Sequence, residues 1–350
     1  MRLVSFDYLR GIAILFIVAG HSYGAWSIDT FSEKVIANIV SGGTDLFVFI
    51  SGFFFHHTFY ENFNLNVFMS KKVNYVLVPY LIFSVLGISY YAISTEPFPY
   101  LSQMTSHAVS SWYDYFQLCL SYLWTGRITV GYWYIPFIMI VFLLSPLFIL
   151  YIKLSIVVRA IIFLICLFIV SLFIHRPAFN LSPLHSVLYF VPLYILGINC
   201  SINREQFDDF IRGKALIFGL TVILLSVLQA AYFNVTGNFH KEELFSYGGL
   251  DIIIFQKIAL CLFLITALQH SEDKTIPSLK LLASASFAIY FLHPWVLDVM
   301  AKVQIYRLLS DLPEIAAWLV TFLLTVTISL TIAFLVKTIL KNNSRSIIGW

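Results

Sequence analysis

Charged side chains are scarce in this sequence, and their scarcity excludes an ordinary soluble protein. Asp, Glu, Lys and Arg make up only 11% of the 350 residues, whereas a soluble domain usually carries about 25%. Hydrophobic residues account for 60% of the chain, and the mean hydropathy is +0.87. A water-soluble protein of this composition would expose large apolar patches. We therefore expect an integral membrane protein.

Other signals are missing as well. The net charge is only +3, and no basic run is interleaved with aromatic residues, so nucleic acid is not an expected partner. The apolar run after Arg10 is not followed by a convincing small-residue cleavage site, so we interpret it as a mature helix. Cysteines are few and lack the spacing of metal ligands, so neither a metal nor a resident cofactor is expected. They are interpreted as small apolar residues: Cys119, Cys166, Cys200 and Cys261.

Long apolar runs, by contrast, occur throughout the chain. A membrane-spanning helix needs about 20 mostly apolar residues. The sequence predicts an all-α polytopic membrane protein with about ten such helices: 8–27, 42–60, 73–94, 132–151, 156–174, 183–200, 215–233, 250–269, 282–301 and 316–337. They follow one another closely, so residues 1–350 are predicted to form one transmembrane domain. Trp112–Gly126 is too short and mixed to span, and it is predicted to be an interfacial or re-entrant helix.

The distribution of positive charge predicts the orientation of the chain. Lys and Arg residues in the short loops are about twice as frequent on the side of the N terminus as on the opposite side. Cytoplasmic loops carry this excess. Together with the even number of spans, the bias predicts that both termini are cytoplasmic.

The first span contains two ionisable side chains, and such groups in a membrane usually have a function. Arg10 and His21 are eleven residues apart, which is three helical turns plus about 20°, so both project from one face. Their axial separation is about 16 Å. Histidine can act as a general base on a hydroxyl, and arginine binds anions such as phosphate. The alternative is that Arg10 is a topological anchor and His21 is a hydrogen-bonded core residue.

Further polar residues lie within or beside the other spans. Asp45 needs a partner at its depth, for which His21 or a cation on a neighbouring helix would serve. Ser51 and Gly52 allow close helix packing, which is the structural alternative to a role in binding. Lys257 follows Asp251 by six residues at the start of the eighth span; the lysine either functions or pairs with a carboxylate.

Basic and aromatic positions complete the candidate set. Lys71 and Lys72 precede the third span, where they either contact phosphate or contribute to the surface charge bias. Pro294 predicts a kink beside His293, which either lines a cavity or is satisfied in the core. His56 and His57 point about 100° apart on a helix and therefore do not suggest a metal site.

This set of motifs resembles the membrane-bound acyltransferase family 3, whose members O-acylate bacterial sugars and envelope polymers. The resemblance covers the whole chain and rests on motifs in order: Asp7-x-x-Arg10-Gly-x-Ala followed by His21, Asp45-Leu-Phe47-x-x-x-Ser51-Gly52-Phe53, Trp133-Tyr134 and Ile289-Tyr290-x-x-His293. The sequence departs from the family pattern at three places. Val48 stands where many members have a second phenylalanine, Gly131 where many have histidine, and Lys71-Lys72 where arginines are more usual.

The resemblance implies a ten-helix core that uses cytoplasmic acetyl-CoA or another acyl-CoA as co-substrate. It also implies that His21 is the catalytic residue and Arg10 its essential partner. The chemistry agrees, because acyl transfer to an alcohol needs a base, and cations hold the CoA phosphates.

The predicted function is transfer of an acyl group, with acetyl favoured, to a sugar hydroxyl of a bacterial surface glycan or its lipid-linked precursor. The predicted location is the bacterial inner membrane, among membrane lipids. His21 is the predicted base, Asp45 a candidate to orient it, and Arg10 a candidate for the CoA side. The candidate substrate-binding residues are Lys71, Lys72, Ser51, Trp133, Tyr290 and His293. The alternative is a transporter or flippase of a lipid-linked saccharide, in which polar residues line a through-path and no acyl-CoA is consumed.

Overall fold

The structure is a computed structural model that describes residues 3–94, 96–233, 235–272 and 274–350. It is 77% helical and has almost no strand. Its described helices are α1 (Val4–His21), α2 (Phe31–Val40), α3 (Gly43–Phe54), α4 (Leu65–Lys72), α5 (Val78–Ile93), α6 (Leu101–Met104), α7 (Trp112–Thr125), α8 (Tyr134–Leu143), α9 (Ser145–Ile152), α10 (Ile156–Ile169), α11 (Pro183–Ile202), α12 (Arg204–Ile211), α13 (Ala215–Leu228), α14 (Ile252–Gln269), α15 (Pro277–Lys302), α16 (Ile305–Leu308), α17 (Glu314–Leu340) and α18 (Ser344–Ile348).

Shorter elements extend or connect these helices. Four π-helical segments continue a preceding helix: Phe55–Phe59, Val73–Leu77, Val170–Ile174 and Gln229–Phe233. Three turns are 3-10 helical: Tyr23–Ala25, Ala178–Asn180 and Lys341–Asn343. Strands β1 (Arg176–Pro177) and β2 (His240–Lys241) form one short parallel pair.

The predicted number of spans is confirmed. Among the described residues, nine helical segments are long and apolar enough to cross a membrane. The pair α8 and α9 is a tenth candidate, bent by 55°, and Pro146 lies in the first turn after the bend. Each of the ten overlaps a predicted span, so the all-α membrane fold is confirmed. The cytoplasmic placement of the termini and the single-domain organisation stay predictions.

The spans form an inner and an outer group. The apolar windows of Phe31–Phe59 and Pro183–Ile202 are each 72% buried, whereas that of Ile156–Ile174 is only 17% buried. On the outer helix α10, Leu164 and Phe168 are exposed. Apolar side chains gain nothing from mutual burial when lipid surrounds them, so these faces are expected to contact lipid.

Two glycines bring the inner helices α3 and α11 into close contact. A Cβ atom on Gly52 would overlap the backbone of Tyr194, and one on Gly197 would overlap the backbone of Phe49. The close packing predicted at Gly52 is therefore present, because only a residue without a side chain fits there.

Helix α1 lies centrally and packs against α15, α3, α14 and α17. Arg10 donates from Nε to the carbonyl oxygen of Ala283 at 3.0 Å, and His21 contacts His293. Both partners belong to α15, so the predicted common face of Arg10 and His21 is confirmed.

Non-helical segments converge at the His21 end of α1. Strand β1 places Arg176 opposite His240 of β2, and the backbone of Gly248 donates to Leu172 at 3.0 Å. The segment 126–133 follows α7, a 14-residue helix that ends at Thr125 and is capped by Gly126. Trp112 on α7 is 80% exposed; the helix is present as predicted, and its interfacial position stays a prediction.

Candidate active site

The closest polar contact of His21 is a second histidine. Its Nδ1 lies 2.9 Å from Nε2 of His293, and the two rings are stacked with 5.2 Å between centroids. His293 is fully buried, and its Nδ1 lies 3.0 Å from the carbonyl oxygen of Ile289. Pro294 follows His293 inside α15. These contacts join α1 to α15 through a pair that we call the histidine dyad, His21 and His293.

The hydrogen bonds assign the tautomers of the dyad. A carbonyl oxygen only accepts, so Nδ1 of His293 carries a hydrogen and donates to Ile289. In a neutral ring Nε2 of His293 is then an acceptor, and Nδ1 of His21 donates to it. Among the described residues, no group donates to Nε2 of His21, so its lone pair is available. The arrangement therefore gives His21 the form that a general base needs.

The backbone beside the dyad is shaped by a glycine. Gly131 has φ +88°, and a Cβ there would lie 3.1 Å from Cε1 of His21. Tyr290 donates from its hydroxyl to the carbonyl oxygen of Gly131 at 2.6 Å. Tyr132 donates to the carbonyl oxygen of Phe291 at 2.5 Å, so both tyrosines attach this segment to α15. Glycine at this position lets the segment approach the dyad closely.

His21 lines a cavity of about 190 Å³, which we call the upper cavity. Its walls come from α1, the start of α3, the segment 126–133 and the two strands. The polar lining consists of His21, Ser41, Thr44, Arg127, Arg176, Asn180, Asn238 and His240, and Trp133 contributes an indole face. His293 is not among its lining residues, so His21 is the member of the dyad that borders the cavity.

A larger cavity of about 690 Å³, the lower cavity, lies toward the other end of α1. Its cationic lining residues are Arg10, Lys71, Lys72, Lys337 and Arg345. Aromatic rings cover much of the remaining wall; the ammonium of Lys72, for example, lies 4.4 Å from the ring centroid of Phe142. Ser51 also lines this cavity. Cations above an apolar wall suit a ligand that is anionic at one end and apolar along its length.

Only a few side chains separate the two cavities. Thr44 lines the upper cavity and Phe47 the lower one, although they lie three residues apart on α3, a rise of about 4.5 Å. Likewise, Trp133 lines the upper cavity and its neighbour Tyr134 lines the lower one. The rings of Phe47 and Tyr134 are 6.4 Å apart, and those of Tyr134 and Tyr290 are 5.9 Å apart. We call Phe47, Tyr134 and Tyr290 the aromatic partition.

Asp45 lies in a charge cluster at the start of α3. It interacts electrostatically with Arg176 and Lys257, and neither of its carboxylate oxygens has a hydrogen-bond partner among the described residues. Lys257 donates from Nζ to the carbonyl oxygen of Asn38 at 2.9 Å. Within the described part of the chain, the side chain bonded to His21 is therefore His293 and not Asp45.

Asp251 has hydrogen bonds of its own and none to Lys257 among the described residues. It accepts from the Tyr189 hydroxyl at 3.0 Å and caps α14 by accepting from the backbone of Ile253 at 2.9 Å. His56 bonds to the Ser201 hydroxyl at 2.8 Å. No group of three or more metal-binding side chains occurs in the ranges that the structure describes.

His240 is uncharged at neutral pH. Desolvation, followed by the nearby guanidinium groups of Arg176 and Arg127, lowers the pKa of His240 to about 4. The fixed positive charge among the residues that line the upper cavity thus comes from the two arginines.

Several lining residues were not singled out from the sequence. Arg127, Arg176 and His240 lie in the upper cavity, and Lys337 and Arg345 in the lower one. In the sequence, Arg127 and Arg176 contributed only to the charge bias that predicts orientation. The sequence contains a more specific signal for these two arginines. Arg127 follows a glycine and Arg176 precedes a proline, each close to a predicted span, and at such positions the backbone can turn back into the protein.

Comparison with known proteins gives one match. The model of a family described as an acyltransferase domain matches residues 3–334. This range begins before α1 and ends within α17, so it includes the histidine dyad, every lining residue of the upper cavity and most of those of the lower cavity. Among curated proteins and solved structures, none matches the chain.

Proposed function

Because this chain belongs to acyltransferase family 3, and is therefore a multi-pass membrane acyltransferase, we propose that it O-acetylates a bacterial surface glycan or its lipid-linked precursor. The donor is cytoplasmic acetyl-CoA, the acceptor is a sugar hydroxyl, and the protein resides in the inner membrane. The observation that carries the proposal is the position of His21. His21 lines a polar cavity, and the aromatic partition separates that cavity from a cationic one.

The proposed reaction needs a single base. Nε2 of His21 takes the proton of the sugar hydroxyl while the oxygen attacks the thioester carbonyl carbon. The tetrahedral intermediate collapses as the carbon–sulfur bond breaks, and the imidazolium returns the proton to the CoA thiolate. The products are the acetyl ester of the sugar and free CoA. His293 accepts from Nδ1 of His21 throughout, which keeps the ring in one orientation and stabilises its charged form.

The lower cavity supports acetyl-CoA as the donor. Its volume of about 690 Å³ lies within the range of about 300–1,000 Å³ that is typical of small-molecule sites. Arg10, Lys71 and Lys72 suit the phosphates of CoA, and the aromatic wall suits its pantetheine arm. Arg10 is about 16 Å from His21 along α1, so the arm would bring the thioester across the aromatic partition to the dyad.

Acetyl transfer from labelled acetyl-CoA tests the proposal. Membranes that contain the protein are incubated with labelled acetyl-CoA and the glycan fraction of the host, and ester-linked label in the glycan is measured. His21→Ala is expected to lower the rate by about 10²- to 10⁴-fold, the usual contribution of a general base. His185→Gln is a matched control, since His185 is a buried histidine that bonds to the carbonyl oxygen of Ile174 at 2.9 Å outside both cavities.

The outcomes separate the proposal from the alternatives. Transfer that persists in His21→Ala contradicts the assignment of the base. Movement of glycan across vesicles without ester formation would instead favour the transporter that the sequence left open. Loss of transfer in both His21→Ala and His185→Gln, with lowered thermal stability in each, would mean that the histidines act through folding.

A further inference from the structure

Two buried arginines line the upper cavity together with His21. Arg127 is 6% exposed and Arg176 is 5% exposed. Their side chains come from different parts of the chain, Arg127 from the segment after α7 and Arg176 from β1. A guanidinium remains charged in a protein at any accessible pH. Two such charges in one small cavity require either carboxylate partners or an anionic ligand.

Carboxylate partners at contact distance are missing in the described ranges. No Asp or Glu oxygen lies within 4.0 Å of either guanidinium there. Asp45 and Asp251 act on Arg176 from farther away, and Asp45 also interacts with Lys257. Even if Asp45 and Asp251 are both ionised, they supply two negative charges. The nearby positive charges are three: Arg127, Arg176 and Lys257. The upper cavity therefore has an excess of positive charge beside the proposed base.

The guanidinium of Arg176 is held in place, while most of its N–H groups have no hydrogen-bond partner in the described part of the chain. Its Nε donates to the side-chain oxygen of Asn180 at 2.8 Å, and its central carbon, Cζ, lies 4.7 Å from the centroid of the Trp133 ring. Among the described residues, that Nε bond is the only hydrogen bond of its five N–H groups. Arg127 lies 3.8 Å above the ring of Tyr100, and its Nε is buried without a hydrogen-bond partner within the same ranges.

The anionic groups of the acyl donor do not bind in the upper cavity. The phosphates of acetyl-CoA suit the five cations of the lower cavity, one of which is Arg10. Arg10 is about 16 Å from His21 along α1, and the acetyl end of the donor carries no charge. The group that enters the upper cavity beside His21 is the acceptor.

Resting on the proposed function, we infer that the acceptor sugar carries an anionic group, a carboxylate or a phosphate, close to the hydroxyl that is acylated. Arg127 and Arg176 bind this group through charge-assisted hydrogen bonds, and they thereby hold the hydroxyl next to Nε2 of His21. A neutral sugar leaves the two charges without a ligand and binds more weakly. The two arginines are specificity-determining residues for the acceptor.

Binding of matched sugar probes tests this inference without requiring transfer. Methyl glucoside, methyl glucuronide and methyl glucoside 6-phosphate differ in a single group, and they distinguish a neutral sugar, a carboxylate and a phosphate. Thermal unfolding of the purified full-length protein is followed against the concentration of each probe, with acetyl-CoA present. We expect at least one anionic probe to raise the melting temperature at concentrations where methyl glucoside has no effect.

The variants Arg127→Gln and Arg176→Gln are expected to weaken binding of the anionic probe by about tenfold or more, as loss of a charged hydrogen-bonding group does. Stabilisation by acetyl-CoA alone should be unchanged in both, which shows that they fold. Arg307→Gln is the matched control, because it removes one positive charge from an exposed residue outside the cavity. If one of the two arginine variants does not fold, the other is sufficient to test the inference.

Equal stabilisation by neutral and anionic probes, or no effect of any anionic probe, overturns the inference. So does a preference that survives in both arginine variants. A preference for succinyl-CoA over acetyl-CoA that depends on Arg127, without a preference for anionic sugars, would place the anion on the donor and also overturn it. Anion-specific stabilisation without glycan acetylation supports the inference and contradicts the proposed function, so the two failures are distinguishable.

Discussion

Nδ1 of His21 donates a hydrogen bond across 2.9 Å to Nε2 of His293, which in turn donates from Nδ1 to a backbone carbonyl. The histidine dyad thus has the arrangement of a base and its orienting partner, with a neutral imidazole where many hydrolases have a carboxylate. A buried carboxylate would stabilise the imidazolium more strongly, but it would also need its own partners. The carbonyl oxygen of Ile289 satisfies His293 without adding charge.

Substitution of His293 tests the dyad directly. His293→Leu removes the acceptor for Nδ1 of His21, so the ring loses its fixed tautomer. We expect kcat to fall by about 10- to 100-fold, as when groups that orient metal-binding histidines are removed, with KM for acetyl-CoA unchanged. His293→Gln keeps a side-chain oxygen as acceptor and should retain more activity than His293→Leu. Initial rates of labelled transfer give both parameters.

A double-variant cycle supplies the control for the dyad. Residues that act as a unit are not additive, so His21→Ala combined with His293→Leu should be no slower than His21→Ala alone. If the losses in rate multiply, His293 acts independently of His21, for example through folding or substrate binding. The role of His293 as the orienting partner in the histidine dyad is then wrong.

The first helix could be understood from sequence alone because its geometry is local. The spacing of Arg10 and His21 fixes their common face in any α-helix, and hydropathy located all ten candidate spans. The partner of His21 could not be found in this way. Asp45 and His293 were both within the predicted spans, and only the packing of α1 against α15 decides between them.

Gly131 offers a second test of the site. Gly131→Ala places a methyl group 3.1 Å from Cε1 of His21 at a φ of +88°. The left-handed backbone should cost about 1–2 kcal/mol of stability, and displacement of the ring should lower kcat by about tenfold or more. Thermal unfolding and labelled transfer separate the two effects.

Gly213→Ala is the matched control for the stability cost of a left-handed backbone. Gly213 also has positive φ, +73°, but a Cβ there meets nothing within 4 Å. It should lose similar stability and keep its activity. Equal activity losses in the two variants would show that the contact with His21 has no role.

The lysine pair predicts a separation of donor and acceptor effects. Lys71→Gln and Lys72→Gln each remove one cation from the lower cavity, so KM for acetyl-CoA should rise by about tenfold at low salt. Added salt should raise KM for acetyl-CoA in the wild type, because it screens charges that solvent reaches. KM for the glycan should not change in either variant.

Lys153→Gln serves as the control, since Lys153 is exposed and does not line the lower cavity. A similar rise in KM in this variant would attribute the effect to overall surface charge. A rise in KM for the glycan in Lys71→Gln or Lys72→Gln would contradict the assignment of the lower cavity to the donor.

The upper cavity marks the limit of what the sequence predicts. Arg127 and Arg176 are 49 positions apart in the chain and meet only because β1 pairs with β2 and the segment 126–133 folds back on α15. Such convergence has no period and no fixed spacing. Loop arginines are ordinarily topological signals, so burial, which the sequence does not report, is what distinguishes these two.

His175, which precedes Arg176, should make the stability of this region depend on pH. It is fully buried and lies 4.8 Å from the ring of Phe239. Burial, with the nearby Lys241, lowers the pKa of His175 to about 4 from the ordinary 6.5. Between these values the unfolded chain binds the proton and the folded protein does not, so the free energy of unfolding falls as pH decreases from about 6.5 to 4.

His175→Phe keeps an aromatic ring and removes this titration. We expect the melting temperature of the variant, relative to the wild type, to be higher at pH 5 than at pH 8, with labelled transfer at pH 8 retained. His107→Phe is the control, because His107 is exposed and its substitution should leave the pH dependence unchanged. If both variants have the pH dependence of the wild type, the pKa of His175 does not change on folding, and the loop that positions Arg176 tolerates a buried charge at low pH.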